Sequence, residues 1–270
     1  MEKMHDIAVR IAAAGAAAFL ASALASAGGT PDGAIDRLVR AYPGALCGAE
    51  ENAIVWCDGA RTPFDDGRVK TFEERLDGAD LEDQMSQEYP LSPAAPPAPD
   101  ADPGRIRCAP FFERMYGAAR REVEARLETV TWLKGLSDQR VAMTRVNGVA
   151  EKLAAVSAEL LGLDRADAAR VRRVGGTFAW RPIAGTRRPS PHSYGIAIDV
   201  AVGRSHYWRW DAVRLGGLGR RFDDDLPAAV VRAFERRGFI WGGRWYHYDT
   251  MHFEYRPELA PIAADPPSSR

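Results

Sequence analysis

The chain is short of several things. Its 270 residues hold three cysteines and five histidines, and 36 Lys and Arg against 37 Asp and Glu leave a formal charge of −1. With charge this balanced, the composition implies no basic patch for nucleic acid, and function falls to a local site rather than to the overall field. No cysteine has a C-x-x-C partner, so none is assigned a catalytic or metal role. No H-E-x-x-H occurs, which excludes that large class of metallopeptidase. No internal repeat is visible, and 46% apolar with 27% charged residues is ordinary for a globular chain.

Only one long apolar run is present. After Arg10 comes "IAAAGAAAFLASALASA", closing on Ala25-Ser26-Ala27. A charged start, an apolar middle and an A-x-A end are the pattern of a secretory signal peptide, assigned to residues 1–27. At about 17 residues the run is marginal for a membrane span, so an uncleaved anchor is the alternative. No cysteine follows directly, which argues against a lipid anchor. After signal removal no stable membrane span is expected. Export permits a disulfide: Cys47 and Cys57 flank "GAEENAIVW" and could close a small loop, leaving Cys108 free; three unpaired thiols are the alternative.

Residues 28–104 read as an N-terminal extension, with a short helix ("AIDRLVRAY") and a strand ("NAIVWCDG"). "LSPAAPPAPDADPG", residues 91–104, is too proline-rich for a regular element and reads as a linker or surface loop. Residues 105–262 form the main domain. "FFERMYGAARREVEARLETV" predicts a helix with Val123, Leu127 and Val130 on one face; "NGVAEKLAAVSAELLGL" predicts another with Leu153, Val156 and Leu160. "GTFAWRPI", "YGIAIDVAV", "FIWGG" and "HFEYRP" read as strands, and "LPAAVVRAFERRGF" as a helix opened by Pro227 and ended by Gly238. Helices followed by a strand-rich half predict an α+β fold, helices packed on a small antiparallel sheet. Residues 263–270 read as a frayed tail.

Few histidines make their placement informative. In "SPHSYGIAIDV", His192 precedes an apolar strand that Asp199 interrupts. A half-buried carboxylate is costly unless neutralised, and a dication shared with His192 would neutralise it; a helix cap or a buried salt bridge would also do so. "YDTMHFEY" adds His252, with Asp249 three residues earlier. Two histidines and a carboxylate with an open position suit catalytic zinc, and a nearby second carboxylate can act as general base toward water. Glu254 shares the His252 face of its strand and could orient that ligand or sit in a surface salt bridge. His206 reads as structural.

Together "SPHSYGIAIDV" and "DTMHFEY", with "WRP" upstream, resemble the two signatures of the zinc D-alanyl-D-alanine carboxypeptidases and dipeptidases, a family that includes L-alanyl-D-glutamate endopeptidases of phage lysins. The resemblance is strongest over about 140–260. It implies a hedgehog/D-Ala-D-Ala-peptidase-like fold with one zinc per chain on His192, Asp199 and His252. Asp249 would be the general base, and Arg181 would steady the substrate carbonyl. Ser190 would contact the substrate backbone; Trp180, Trp245, Tyr246 and His247 are candidates for the substrate groove. Peptidoglycan stem peptides would be the substrate, the periplasm, cell exterior or wall the location, and a monomer the expected state. A non-catalytic, zinc-stabilised wall- or protein-binding module is the competing class.

Overall fold

The computed structural model describes residues 31–91, 96–215 and 226–260. The assigned signal peptide, the C-terminal tail and part of the proline-rich stretch lie outside the described residues.

The N-terminal part is a helix and a small sheet. Helix α1 (Pro31–Ala41) buries Ile35 and Leu38, one turn apart, and is followed by buried Tyr42. Strands β1 (Leu46–Glu50), β2 (Ala53–Trp56) and β3 (Arg61–Pro63) form an antiparallel meander. Cys47 and Cys57 are joined by a disulfide, and Cys108 is a buried free thiol. Two short helices follow, α2 (Phe72–Gly78) and α3 (Leu81–Met85), each opened by a capping box, Thr71 with Glu74 and Asp80 with Asp83. Residues 96–104 of the proline-rich stretch hold no helix or strand, as expected.

The segment read as one helix over 111–130 is divided. Helix α4 (Ala109–Tyr116) stops at Gly117, whose φ of +126° a side chain would not tolerate; an added Cβ would also meet Glu122 Cβ and Val123 Cγ2 at 3.1 Å. The five-residue helix α5 (Arg120–Glu124) follows, and then strand β4 (Leu127–Trp132). Leu127 and Val130 therefore belong to a strand, where Val130 and Trp132 alternate inward and the β-branched Thr129 and Thr131 lie between. β4 pairs with β5 (Gln139–Thr144) in a hairpin with Val130 opposite Val141.

Helix α6 (Val149–Leu161) buries Leu153, Val156 and Leu160 as the periodicity predicts, and packs on β4. Helix α7 (Arg165–Arg170) leads to β6 (Val174–Gly176). This strand is shorter than "GTFAWRPI" suggested and lies upstream of most of it. Pro182 makes only an isolated bridge to Pro189, consistent with a residue that has no N–H to give a ladder. Strand β7 (Ala197–Val200), helices α8 (Trp208–Leu215) and α9 (Ala228–Glu235), and strands β8 (Phe239–Trp241) and β9 (His252–Tyr255) complete the order. β6, β7, β9 and β8 form an antiparallel sheet in that spatial order. The architecture is α+β.

One hydrophobic cluster runs from Ile35 to Ala260. Buried polar contacts join the ends of the chain: Tyr42 donates to Glu258 Oε2 at 2.7 Å, and Tyr89 donates to Glu235 Oε1 at 2.8 Å. The described residues before Arg105 thus include segments packed against the strand-rich half.

Candidate metal centre and catalytic cleft

Sheet register creates the site. In the β7–β9 pair Asp199 lies directly opposite His252, which brings residues 53 apart in sequence to neighbouring positions on one face. His192 comes from a short 3-10 turn, Pro191–Tyr194, just before β7. Ser190 caps that turn, accepting from the His192 backbone N–H at 3.4 Å. Gly195 ends it at φ +66°; a Cβ there would lie 2.8 Å from Leu127 Cδ2 and 3.1 Å from the Thr144 nitrogen, so only glycine lets the chain turn into β7 beside the hairpin.

The ring nitrogens are sorted by their outer partners. His192 Nδ1 donates to the Thr177 carbonyl at 2.6 Å, leaving Nε2 toward Asp199 Oδ1 at 3.3 Å. His252 Nε2 faces Glu254 Oε2 at 2.9 Å, leaving Nδ1 toward the same Asp199 oxygen at 3.1 Å. One donor atom from each of His192, Asp199 and His252 lies within 4.8 Å of the others. Two imidazole nitrogens and a carboxylate oxygen, each histidine held from behind by an oxygen acceptor, form a donor set that fits zinc.

Electrostatics point the same way. Burial alone would lower the His252 pKa, but hydrogen bonds to Asp199 and Glu254 raise it to about 10. Burial would raise Asp199, but the two histidines hold its carboxyl well below the usual carboxylate range. In the metal-free protein a proton therefore substitutes for a cation at this cluster. Glu254 is fully buried. Arg107 grips it through Nε at 3.0 Å and through a second, shorter contact from Nη2, and Arg256 Nη1 donates to it at 2.9 Å. It is an orienting partner for His252 rather than a surface salt bridge.

Asp249 differs. Its backbone bridges to Tyr207 and its N–H donates to the Gly242 carbonyl at 3.0 Å. Its Oδ1 is buried and has no hydrogen-bond partner. Burial pushes its carboxyl up to about 6, with Asp199 also raising it while His252 and Arg105 pull against the rise. An unsatisfied carboxylate oxygen beside a metal-competent triad is available to a ligand or to water.

The remaining candidates divide. Trp245 is brought to the triad: its ring lies 5.8 Å from that of His252, and its N–H donates to the Pro103 carbonyl at 2.7 Å. His247 is pinned by buried Asp102, Nδ1 to Oδ2 at 2.6 Å, and lies among Phe72, Trp208 and Tyr246. Trp180 is 40% exposed. Ser190 is buried and engaged in the turn. Arg181 is held to the site loop by its backbone, through Ser193 Oγ and the Ser190 N–H. Its guanidinium, however, is exposed and donates to the Pro182 carbonyl at 3.4 Å, with no hydrogen bond to the triad. His206 pairs with Asp211 at 3.0 Å, a structural contact.

Sequence reasoning missed Asp102, Arg105 and Arg107, all in or next to "DADPGRIR". Arg105 donates to the His247 carbonyl at 3.1 Å, lies over the Trp245 ring and acts electrostatically on Asp249. Arg107 neutralises Glu254. These positions lie more than 140 residues from their partners, and no local pattern links them.

A family model for D-alanyl-D-alanine carboxypeptidase matches residues 184–255. The match takes in both motifs, and over these residues the chain is similar to that peptidase family. Neither a curated protein nor a solved structure matches the chain.

Among the described residues no helix is long and apolar enough to cross a membrane.

Proposed function

We propose that the protein is an exported, monomeric zinc peptidase that hydrolyses peptidoglycan stem peptides. The observation that carries this reading is the unpartnered Asp249 carboxylate oxygen beside the His192–Asp199–His252 cluster, inside the family-matched segment. Zinc held by His192 Nε2, Asp199 Oδ1 and His252 Nδ1 would supply Lewis-acid polarisation of the scissile carbonyl and acidification of water.

The chain's own residues do the rest. Asp249 Oδ1 takes the proton of the attacking water and passes it to the departing amine nitrogen as the C–N bond breaks. A carboxyl raised by burial can both accept and return a proton near neutral pH. Glu254 and the Thr177 carbonyl hold the two imidazoles with the correct nitrogens inward. Arg181, on the loop beside Ser190, is assigned to the developing oxyanion, its exposed side chain swinging in with substrate. Trp180, Ser190, Trp245, Tyr246 and His247 are assigned to the substrate groove, with Phe72, Asp102 and Arg105 packed against its Trp245 and His247 side.

The test pairs elemental analysis of the purified protein with mass spectrometry of defined muropeptides before and after incubation. One zinc per chain and a cleaved stem peptide are expected. Zinc without any cleaved product refutes the catalytic reading, and no metal after chelator-free purification refutes the metal site.

A further inference from the structure

A second concave site lies away from the metal cluster. It is a groove of about 950 Å³ whose lining includes Arg40, Arg114, Arg126 and Lys152, with Trp56 and Tyr255 among its aromatic residues. The four cations come from α1, α4, the turn after α5, and α6, so separate parts of the chain converge to place them together. None of the triad residues lines the groove.

The lining carries one acid. Asp58 is held by Arg114 Nη2 through both carboxylate oxygens, at 2.9 and 2.7 Å, which neutralises one cation. Arg40 has only a 4.0 Å contact with Asp36 in which both side chains are mostly exposed, worth little in water. Arg126 donates to the Met115 carbonyl at 3.4 Å, and no carboxylate pairs with it or with Lys152 among the described residues. A chain with a net charge of −1 thus gathers about three uncompensated positive charges in one groove.

Two of the cations are held over aromatic rings. Arg114 lies 4.8 Å from the Trp56 centroid and Lys152 5.9 Å from that of Tyr255. Such contacts order the charges in advance, which lowers the entropic cost of binding an anion. Trp56 and Tyr255 are themselves buried, so they offer bases no free face for stacking, which disfavours single-stranded nucleic acid. The volume is at the top of the range for small-molecule sites, roomy enough for several linked units rather than one small ion.

We propose that this groove binds an anionic polyol or glycan chain, its phosphate or carboxylate groups meeting Arg40, Arg126 and Lys152. Guanidinium forks suit both kinds of oxyanion. The proposal does not depend on the peptidase reading, because the groove and the metal cluster share no residue.

The experiment is calorimetric titration of the full-length protein at low ionic strength. The probes are poly(glycerol phosphate), polygalacturonate, uncharged dextran and a DNA duplex. Binding of one or both anionic polymers, weakening as salt rises, is expected; which one binds identifies the source of the anion. The double variant R126Q/K152Q should weaken that binding about tenfold. The double variant R165Q/R170Q, which removes equal charge from exposed positions on α7, should leave it unchanged. Far-UV circular dichroism checks that both variants are folded. No binding of either anionic polymer, equal binding of dextran or of DNA, or equal losses in the two variants would overturn the proposal.

Discussion

Glu254→Gln tests the electrostatic design of the site at one atom. The side chain keeps its shape but loses the charge that faces His252, Arg107 and Arg256. Breaking a buried ion network by removing one partner costs about 3–5 kcal/mol, because the remaining charges stay buried without compensation. The orienting contact on a metal-ligating histidine is worth about 10–100-fold in metal affinity, or about 1.4–2.7 kcal/mol. Two measurements separate these effects: urea unfolding of the metal-free protein, and zinc affinity by chelator competition. A pH series adds a third. His252 is raised to about 10 in the folded metal-free state, above its ordinary value near 6.5. Its contribution to stability is then fully present below about pH 6.5 and is lost as pH rises through about 10. In the Gln variant that decline should shrink, because one of the two carboxylates that raise His252 is gone. Unchanged zinc affinity together with an unchanged alkaline decline would refute the claim that Glu254 orients and charges this histidine.

Four further outcomes follow from particular contacts. Asp249→Asn should abolish turnover while leaving one zinc per chain by elemental analysis, and near-native activity would show that another group takes the proton. His192→Ala removes one of three donors and should lose both metal and activity; retained stoichiometric zinc would end its assignment as a ligand. Replacing Cys47 and Cys57 together by Ser opens a loop with a sequence separation of 10, and should lower unfolding free energy by about 2.5 kcal/mol in denaturant titration. Lys70 is buried against Asp66, Asp80 and Asp83; burial raises Asp80, but bonds from the Asp83 N–H and Lys70 bring it down to about 2. That contribution is present above about pH 4 and is lost as pH falls toward 2, so Lys70→Met should flatten the acid limb of a stability–pH curve.

What could be read in advance followed the range of the interaction. The His192–Asp199 spacing is local, and the second motif sits on a strand that pairs with the first, so a few residues at short separation carry most of the candidate metal cluster. The helix α6 stripe of Leu153, Val156 and Leu160 was legible for the same reason. The run over 111–130 was not: its spacing suits a helix, but Gly117 at positive φ stops α4, and tertiary pairing with β5 claims Leu127–Trp132 as strand. Local propensity yields there to a partner strand that the run itself does not contain.

The proline-rich stretch teaches the converse. Its composition excludes regular structure, and its described residues 96–104 have none, yet Asp102 near its end is fully buried and pins His247. Three residues on, Arg105 acts on Asp249, and Arg107 neutralises the carboxylate behind His252. A loop without a helix or strand can still be fixed by the buried charges that depend on it. The candidate site accordingly extends beyond the family-matched 184–255: two motifs supply the candidate donor atoms and base, and a distant loop supplies Arg107, which holds the carboxylate behind His252, and Arg105, which adds a smaller pull against the burial-driven rise of Asp249.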